Sequence, residues 1–221
     1  DKDKELSHFN RFIRLWKKLG CTISELDGLL AAMKAKDITP QVIQELSIVW
    51  QVQQRLDLSL ERMAVLIGNI PSAGEDSLFA KLFLNKAMLQ ILKSNPTFDL
   101  NLMQDEVENN SKHLDENVPA ILAAFSIPEE DLNHIANYVK LDLATDTLNL
   151  ANLSKLYRYI VFAKGLRMKI KDLITWLNLI AVSPWGTATD LWNTLEQLEK
   201  LQQYGFKAAD FAYIFLKERV S

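Results

Sequence analysis

Residues 19–30 read LGCTISELDGLL and contain the end of one predicted helix and the start of another. Gly20 follows an apolar stripe of three- and four-residue spacing, and glycine is common just after a helix C-terminus. Thr22 and Glu25 have the spacing of a capping box, in which the two residues satisfy free amides at a helix start. Apolar residues then resume at helical spacing, at Leu26, Leu29 and Leu30. The stretch therefore predicts a helix, a tight turn and a second helix.

The same pattern occurs five times when segments are aligned on Leu19, Leu56, Phe125, Leu166 and Tyr204. Counting each of these anchors as position 0, positions 2, 7, 10 and 11 are apolar in every segment. All 25 aligned residues are apolar, whereas an apolar content of 48% predicts about 12. Because positions 7, 10 and 11 share one face of the second helix, that face must be covered by another element.

Positions 0, 7 and 10 of the five segments are therefore the predicted core. These residues are Leu19, Leu26, Leu29, Leu56, Met63, Leu66, Phe125, Leu132, Ile135, Leu166, Leu173, Trp176, Tyr204, Phe211 and Ile214.

The spacing of the segments is typical of a helical repeat. Successive position-7 residues are 37, 69, 41 and 38 residues apart, so three gaps match one helix pair per unit and one gap is close to two units. The sequence predicts an all-α fold of stacked helix-turn-helix hairpins without a substantial sheet. We expect one helical fragment over 1–221, with the first hairpins in 1–70, a diverged or inserted surface excursion in 71–118 and further hairpins in 119–221.

Acidic residues begin the second helix of each unit and exclude a DNA-reading helix-turn-helix. Glu25 and Asp27 lead the first such helix, and the later copies begin with Glu61, Asp131, Asp172 and Asp210. Acidic side chains at this end complement the helix dipole. They would repel the phosphates that a recognition helix must approach. A second capping box is predicted at Ser126 and Glu129.

The composition gives little support to nucleic-acid or membrane binding. The formal net charge is −3, whereas proteins that bind nucleic acid usually carry a basic excess. Cys21 is the only cysteine, so no intrachain disulfide can form. The charged start DKDKELSHFN does not resemble a signal peptide, and no apolar run is long enough to span a membrane. We expect no direct membrane insertion by this segment.

No residue pattern predicts a catalytic, cofactor or metal site. The three histidines, His8, His113 and His134, are not spaced as metal ligands, and the glycines form no phosphate-binding pattern. Paired carboxylates occur between 105 and 116, but such pairs are common on solvated helices and need a cleft to act in catalysis. Among the tryptophans, Trp185 in the loop sequence SPWGT is the best candidate for an exposed contact.

Three blocks of sequence resemble a known family. They are SLFAKLFLN at 77–85 followed by NPTFDL at 95–100, VPAILAAFSIPEEDLNHI at 118–135, and LNLANLSKLYRYIVFAKGLRMKIKDLITWLNL at 148–179. Together they resemble the A component of bacterial Tc insecticidal toxin complexes and the related plasmid-virulence A proteins. The first 70 residues match this family by repeat spacing more than by individual residues.

The resemblance implies a structural role. Family subunits are much longer chains that assemble as pentamers, with a helical shell around a channel that delivers an enzyme held by partner B and C components. This segment matches the shell, which has no catalytic residues to carry over. The implied partners are other segments of the parent subunit, identical subunits, the B and C components indirectly and possible host-surface molecules. The implied location is secreted or on the bacterial surface.

Two alternatives remain open from the sequence. The first is a helical-repeat interaction module that binds a host or toxin partner on a concave face. The second is an enzyme whose site lies around 101–116, where Asp105, Glu106 and Glu108 occur near Asp115 and Glu116.

Overall fold

The computed structural model describes residues 2–91 and 112–216, and in these ranges the chain forms twelve α-helices and no β-strand. The all-α prediction is therefore confirmed. The helices are α1 Lys2–Leu19, α2 Ile23–Ala32, α3 Pro40–Leu56, α4 Leu60–Ile67, α5 Leu78–Phe83, α6 Lys86–Ile91, α7 Val118–Phe125, α8 Glu129–Val139, α9 Leu150–Gly165, α10 Ile170–Ile180, α11 Ala188–Gln203 and α12 Ala208–Phe211.

Ten of these helices form five hairpins joined by one kind of turn. The hairpins are α1–α2, α3–α4, α7–α8, α9–α10 and α11–α12. In each turn the residue after the anchor is left-handed, with φ between 52° and 73°; these residues are Gly20, Asp57, Ser126, Arg167 and Gly205. This conformation lets the chain reverse directly after a helix C-terminus.

The turn also explains why position 2 is apolar. In the last four hairpins the amide of position 2 donates to a carbonyl five residues earlier, as in Leu58 to Gln53 and Met168 to Ala163. This bond defines the Schellman motif, in which the residue after the left-handed one makes an apolar contact with the last turn of the helix. Leu58 is buried and packs into the core.

One of the two predicted capping boxes is confirmed. The Thr22 hydroxyl accepts from the Glu25 amide while the Glu25 carboxylate accepts from the Thr22 amide. The box predicted at Ser126 and Glu129 is wrong, because Ser126 has φ 54° and ends α7 instead of beginning α8. Pro128 occupies the N-cap of α8 without a side-chain hydrogen bond.

Helix α9 lies at the centre of the molecule. Ten of its 16 residues are buried, including Leu153, Leu156 and Ile160, none of which has exposed surface. It packs against α4, α8 and α10. Because an α-helix that is apolar on most of its sides must be enclosed, these neighbours are needed to cover it.

The hairpins are stacked, but the stack folds back on itself. Second helices lie side by side, α2 on α4 and α8 on α10 on α12, as a repeat array requires. In addition α3 packs along α11, so the second hairpin contacts the fifth. At this contact the Arg55 guanidinium forms an ion pair with Glu199 and lies over the Trp192 ring.

The segment 71–118 contributes to the core at both ends, which differs from the surface excursion expected. Phe79 and Phe83 of α5 are fully buried. Their rings begin an aromatic chain that continues through Phe125 to Tyr157, with centroid separations of 5.0, 5.6 and 4.7 Å. Leu114 is buried too, while the polar tract 92–111 lies outside the described residues.

Most of the predicted core residues are buried, and two are not. Eleven of the 15 fall in the buried class, while Leu19 and Phe211 are partly buried. The prediction is wrong for Tyr204 and Ile214, which are 72% and 62% exposed. Tyr204 is the C-cap of α11, and Ile214 lies in a π-helical turn, Ala212–Leu216, that follows α12. An apolar period identifies a face that can be buried, but not whether a neighbour covers it.

In the described ranges, no helix combines the length and apolarity that a membrane span needs.

Replacement of Leu173 by Asp tests the aligned core positions. Leu173 has no exposed surface, so an unpaired carboxylate there should destabilise the fold by several kcal/mol, about 3 or more. The matched control is Ile214→Asp, which places the same charge on a 62% exposed side chain and should change stability by less than about 0.5 kcal/mol. Urea unfolding followed by circular dichroism measures both. Equal effects of the two substitutions would contradict the assignment of buried and exposed faces.

Candidate functional site

A groove of about 710 Å³ lies in the described part of the chain. It lies between the first two hairpins and the turn that precedes α11. Helices α2, α3 and α4 line it, together with the loop after α4 from Asn69 to Ala73. Arg158 of α9 and Trp185 also line it. Its volume is within the range of known ligand pockets.

Small residues where α2 meets α4 leave the groove open. Gly28, Ala31, Ala32 and Ala64 all line it. Gly68, directly after α4, lies so close to α2 that a Cβ atom on it would be 2.7 Å from Ala32. A larger residue at 68 would therefore push the two helices apart and change the shape of the groove.

Arg158 holds the end of α4 against α9. Its Nε donates to the Val65 carbonyl at 3.0 Å, and its Nη2 donates to the Gly68 carbonyl at 2.7 Å. These carbonyls lie at the C-terminal end of α4, where the helix itself supplies no donor. The guanidinium is also 5.3 Å from the centre of the Trp185 ring. Burial lowers the pKa of Arg158, whose charge is stabilised by carbonyl dipoles and an aromatic face.

Trp185 belongs to an aromatic cluster, although the sequence singled it out as an exposed contact. Its Nε1 donates to the Tyr159 hydroxyl at 2.8 Å, and its ring makes edge contacts with Tyr159 and Phe162. Burial raises the pKa of Tyr159 to about 12, opposed in part by the hydrogen bond from Trp185. Trp185 remains partly exposed and lines the groove, so it combines packing with a surface available for contact.

The groove is negatively charged. Four carboxylates line it, from Glu25, Asp27, Glu45 and Glu61, against two cationic side chains, Lys34 and Arg158. Glu25 is held by the Thr22 cap and Glu61 pairs with Lys81. Asp27 and Glu45 have no hydrogen bond or ion pair in the part of the chain that the structure describes.

Helix ends of both signs border the groove. The last turns of α2 and α4 line it, and the C-terminus of a helix carries a partial negative charge. The first turns of α2, α4 and α11 line it as well, and an acidic side chain in each of them, Glu25, Glu61 and Asp190, offsets the positive charge of the helix start. The excess negative charge of the groove therefore comes from its carboxylate side chains.

The histidines and Cys21 lie apart from one another. His8 is 3.7 Å from Asp37, and His134 is 3.4 Å from Glu130. His113 Nδ1 is buried without a hydrogen-bond partner among the described residues. No group of three or more possible metal ligands occurs in residues 2–91 and 112–216. Burial raises the pKa of the Cys21 thiol, which disfavours the reactive thiolate.

Two of the five carboxylates considered for catalysis lie in the described part of the chain. Asp115 and Glu116 are exposed in a short 3₁₀ helix that precedes α7. Asp105, Glu106 and Glu108 lie outside the described residues. The groove is formed by residues far from this tract in the sequence.

Arg158 was missed as a site residue because its neighbours in sequence are apolar. In LYRYIVFAKG the arginine interrupts a strongly hydrophobic helix, and charged residues are seldom buried without partners. Lys164, six residues later, is exposed and also donates to a carbonyl, that of Phe125 at the end of α7. A cation inside an apolar helix signals a buried acceptor, but the sequence does not show which one.

A comparison with protein-family models finds no match, and a search of curated proteins finds none either.

Substitution of Arg158 by Met should destabilise the protein by about 2–4 kcal/mol, because two carbonyls at the end of α4 lose a charged donor. Arg158→Lys should recover only part of this loss, since an ammonium lacks the planar fork that reaches both carbonyls. The control is Arg167→Met, at an exposed turn position, with an expected change below about 0.5 kcal/mol. Denaturant unfolding of the three variants supplies the measurement. Full recovery by lysine would rule out the two-carbonyl role.

Ionisation of Tyr159 should lower the free energy of unfolding at high pH. Its pKa is about 12 in the folded protein and near 10 when unfolded, so the unfolded chain loses the proton first. The contribution of protonated Tyr159 to the free energy of unfolding is complete below pH 10. It should decline by about 2–3 kcal/mol as pH rises to 12. Tyr159→Phe should have a shallower decline over that interval in urea titrations at fixed pH. A wild-type curve as shallow as that of the variant would show that Tyr159 ionises without hindrance.

Proposed function

We propose that this chain is a non-catalytic structural segment of a Tc-type toxin A subunit, within the helical shell that surrounds a translocation channel. The sequence motifs that resemble the family support this assignment. SLFAKLFLN includes α5, and the block 148–179 covers α9 and most of α10. These are the helices that supply the buried centre of the fold. The comparisons with known proteins add no support.

The continuous interior is the observation that carries the proposal. One buried cluster extends from Leu29 in the first hairpin to Ala208 in the fifth. A domain with one close-packed interior is rigid and keeps its surfaces at fixed separations. This property suits a structural shell better than a segment that changes conformation. The polar outer faces would meet other segments of the parent subunit and identical subunits in a pentamer. The shell would then protect a channel used by an enzyme that the B and C components carry, in a secreted or surface-associated complex.

The groove favours a second function, that of a helical-repeat interaction module. A concave surface with a partly exposed tryptophan and unpaired carboxylates is the kind of site that binds a peptide from another protein. In this case the partner would be a host protein or another toxin component.

Isolation of the native protein separates the two proposals. Antibodies raised against this segment would be used to purify the protein from its source under native conditions, followed by mass measurement and identification of the bound chains. The shell proposal predicts a polypeptide far longer than this segment, in a homo-oligomer that binds B and C components. A short polypeptide bound to an unrelated protein would contradict it and support the interaction module.

The enzymatic alternative is tested at the polar tract. Triple replacement of Asp105, Glu106 and Glu108 by alanine should leave both the fold and toxic activity of the assembled complex unchanged, because the shell proposal gives these residues no chemistry. Insect-cell killing and the melting temperature are measured together. Loss of killing by a variant that folds and assembles normally would show a catalytic function here.

A further inference from the structure

The groove combines an uncompensated negative charge with an apolar wall. Asp27 projects from α2 and Glu45 from α3, so the two unpaired carboxylates belong to different hairpins. Glu45 is partly buried, and the partly exposed Ile67 and Trp185 supply apolar surface to the groove. Carboxylates that have no ion pair remain available to a cation from a partner.

The contacts of Arg158 show that a guanidinium group is bound beside the groove. Arg158 brings a guanidinium to the end of α4, where it donates to two carbonyls and lies over Trp185. The end of α2 also lines the groove, but its Leu29, Leu30 and Ala31 carbonyls already accept backbone amides. A second cation is therefore expected at the unpaired carboxylates of the groove.

From this charge complementarity we propose that the groove binds a basic segment of a partner protein, with a lysine or arginine beside small or apolar residues. The cation contacts Asp27 and Glu45. The adjacent side chains pack on Ile67 and Trp185, beside the small residues of α2 and α4. This inference concerns the groove alone and does not depend on the proposed toxin assignment.

Binding of two matched peptides to the purified chain tests the proposal. The probes are fluorescein-labelled, terminally blocked peptides of Ala, Leu and Lys, and the same peptides with Glu in place of Lys. Fluorescence anisotropy at low and high salt measures affinity. The lysine peptide should bind, more weakly at high salt, and the glutamate peptide should not. Addition of the lysine peptide should also shift the indole N–H resonance of Trp185, which is assigned with Trp185→Phe.

Charge-neutralised variants locate the site. Asp27→Asn with Glu45→Gln should weaken binding of the lysine peptide about tenfold, since two ion pairs are lost. The control, Asp57→Asn with Glu129→Gln, removes the same charge from exposed positions outside the groove and should leave affinity within about twofold. Thermal melting verifies that both variants fold.

Several results would overturn the proposal. These are equal binding of the two peptides, no binding of the lysine peptide, equal loss in the two double variants, or spermidine binding as tight as that of the lysine peptide. Spermidine carries the charge without the apolar side chains, so its equal affinity would show a site for small cations instead of a protein segment.

Discussion

The requirement to enclose α9 organises this structure. The helix is apolar on most of its surface, so it cannot form the outer face of any layer. Helices of the second and third hairpins, α4 and α8, cover it together with its own partner α10, and each of them gains a buried face that it could not have alone. The return of α3 onto α11 closes this arrangement. The repeat units are therefore parts of one packed body, in contrast to an open array in which each unit contacts only its sequence neighbours.

The polar side chains of α9 form hydrogen bonds with backbone groups of the neighbouring segments. Arg158 and Lys164 reach the carbonyl ends of α4 and α7, which have no donors of their own. Ser154, fully buried, accepts from the Ile70 amide just after α4. These bonds join the helix to the irregular segments around it. The groove beside α4 has more carboxylates than cations, which is the property that the inferred basic partner would use.

The sequence was sufficient for the local structure and insufficient for the arrangement of the hairpins. The aligned anchors predicted the position of every hairpin turn, because the left-handed residue and the apolar residue after it are set by neighbours within six positions. The periodicity could not predict that α3 lies on α11, or that Tyr204 and Ile214 are exposed, since it does not identify the covering element. The groove was equally hidden, because Glu45 and Trp185 are distant in sequence.

Native-state hydrogen exchange measured across a series of denaturant concentrations tests most directly whether α9 joins the hairpins into one unit. Our account predicts that core amides of α4, α8, α9 and α10 exchange only through the same global unfolding, with one common free energy and one common denaturant dependence. Amides of α1, in which none of the residues 5–19 is fully buried, should open at lower free energy. Separate unfolding of α3–α4, with α9 and α10 still protected, would contradict the account.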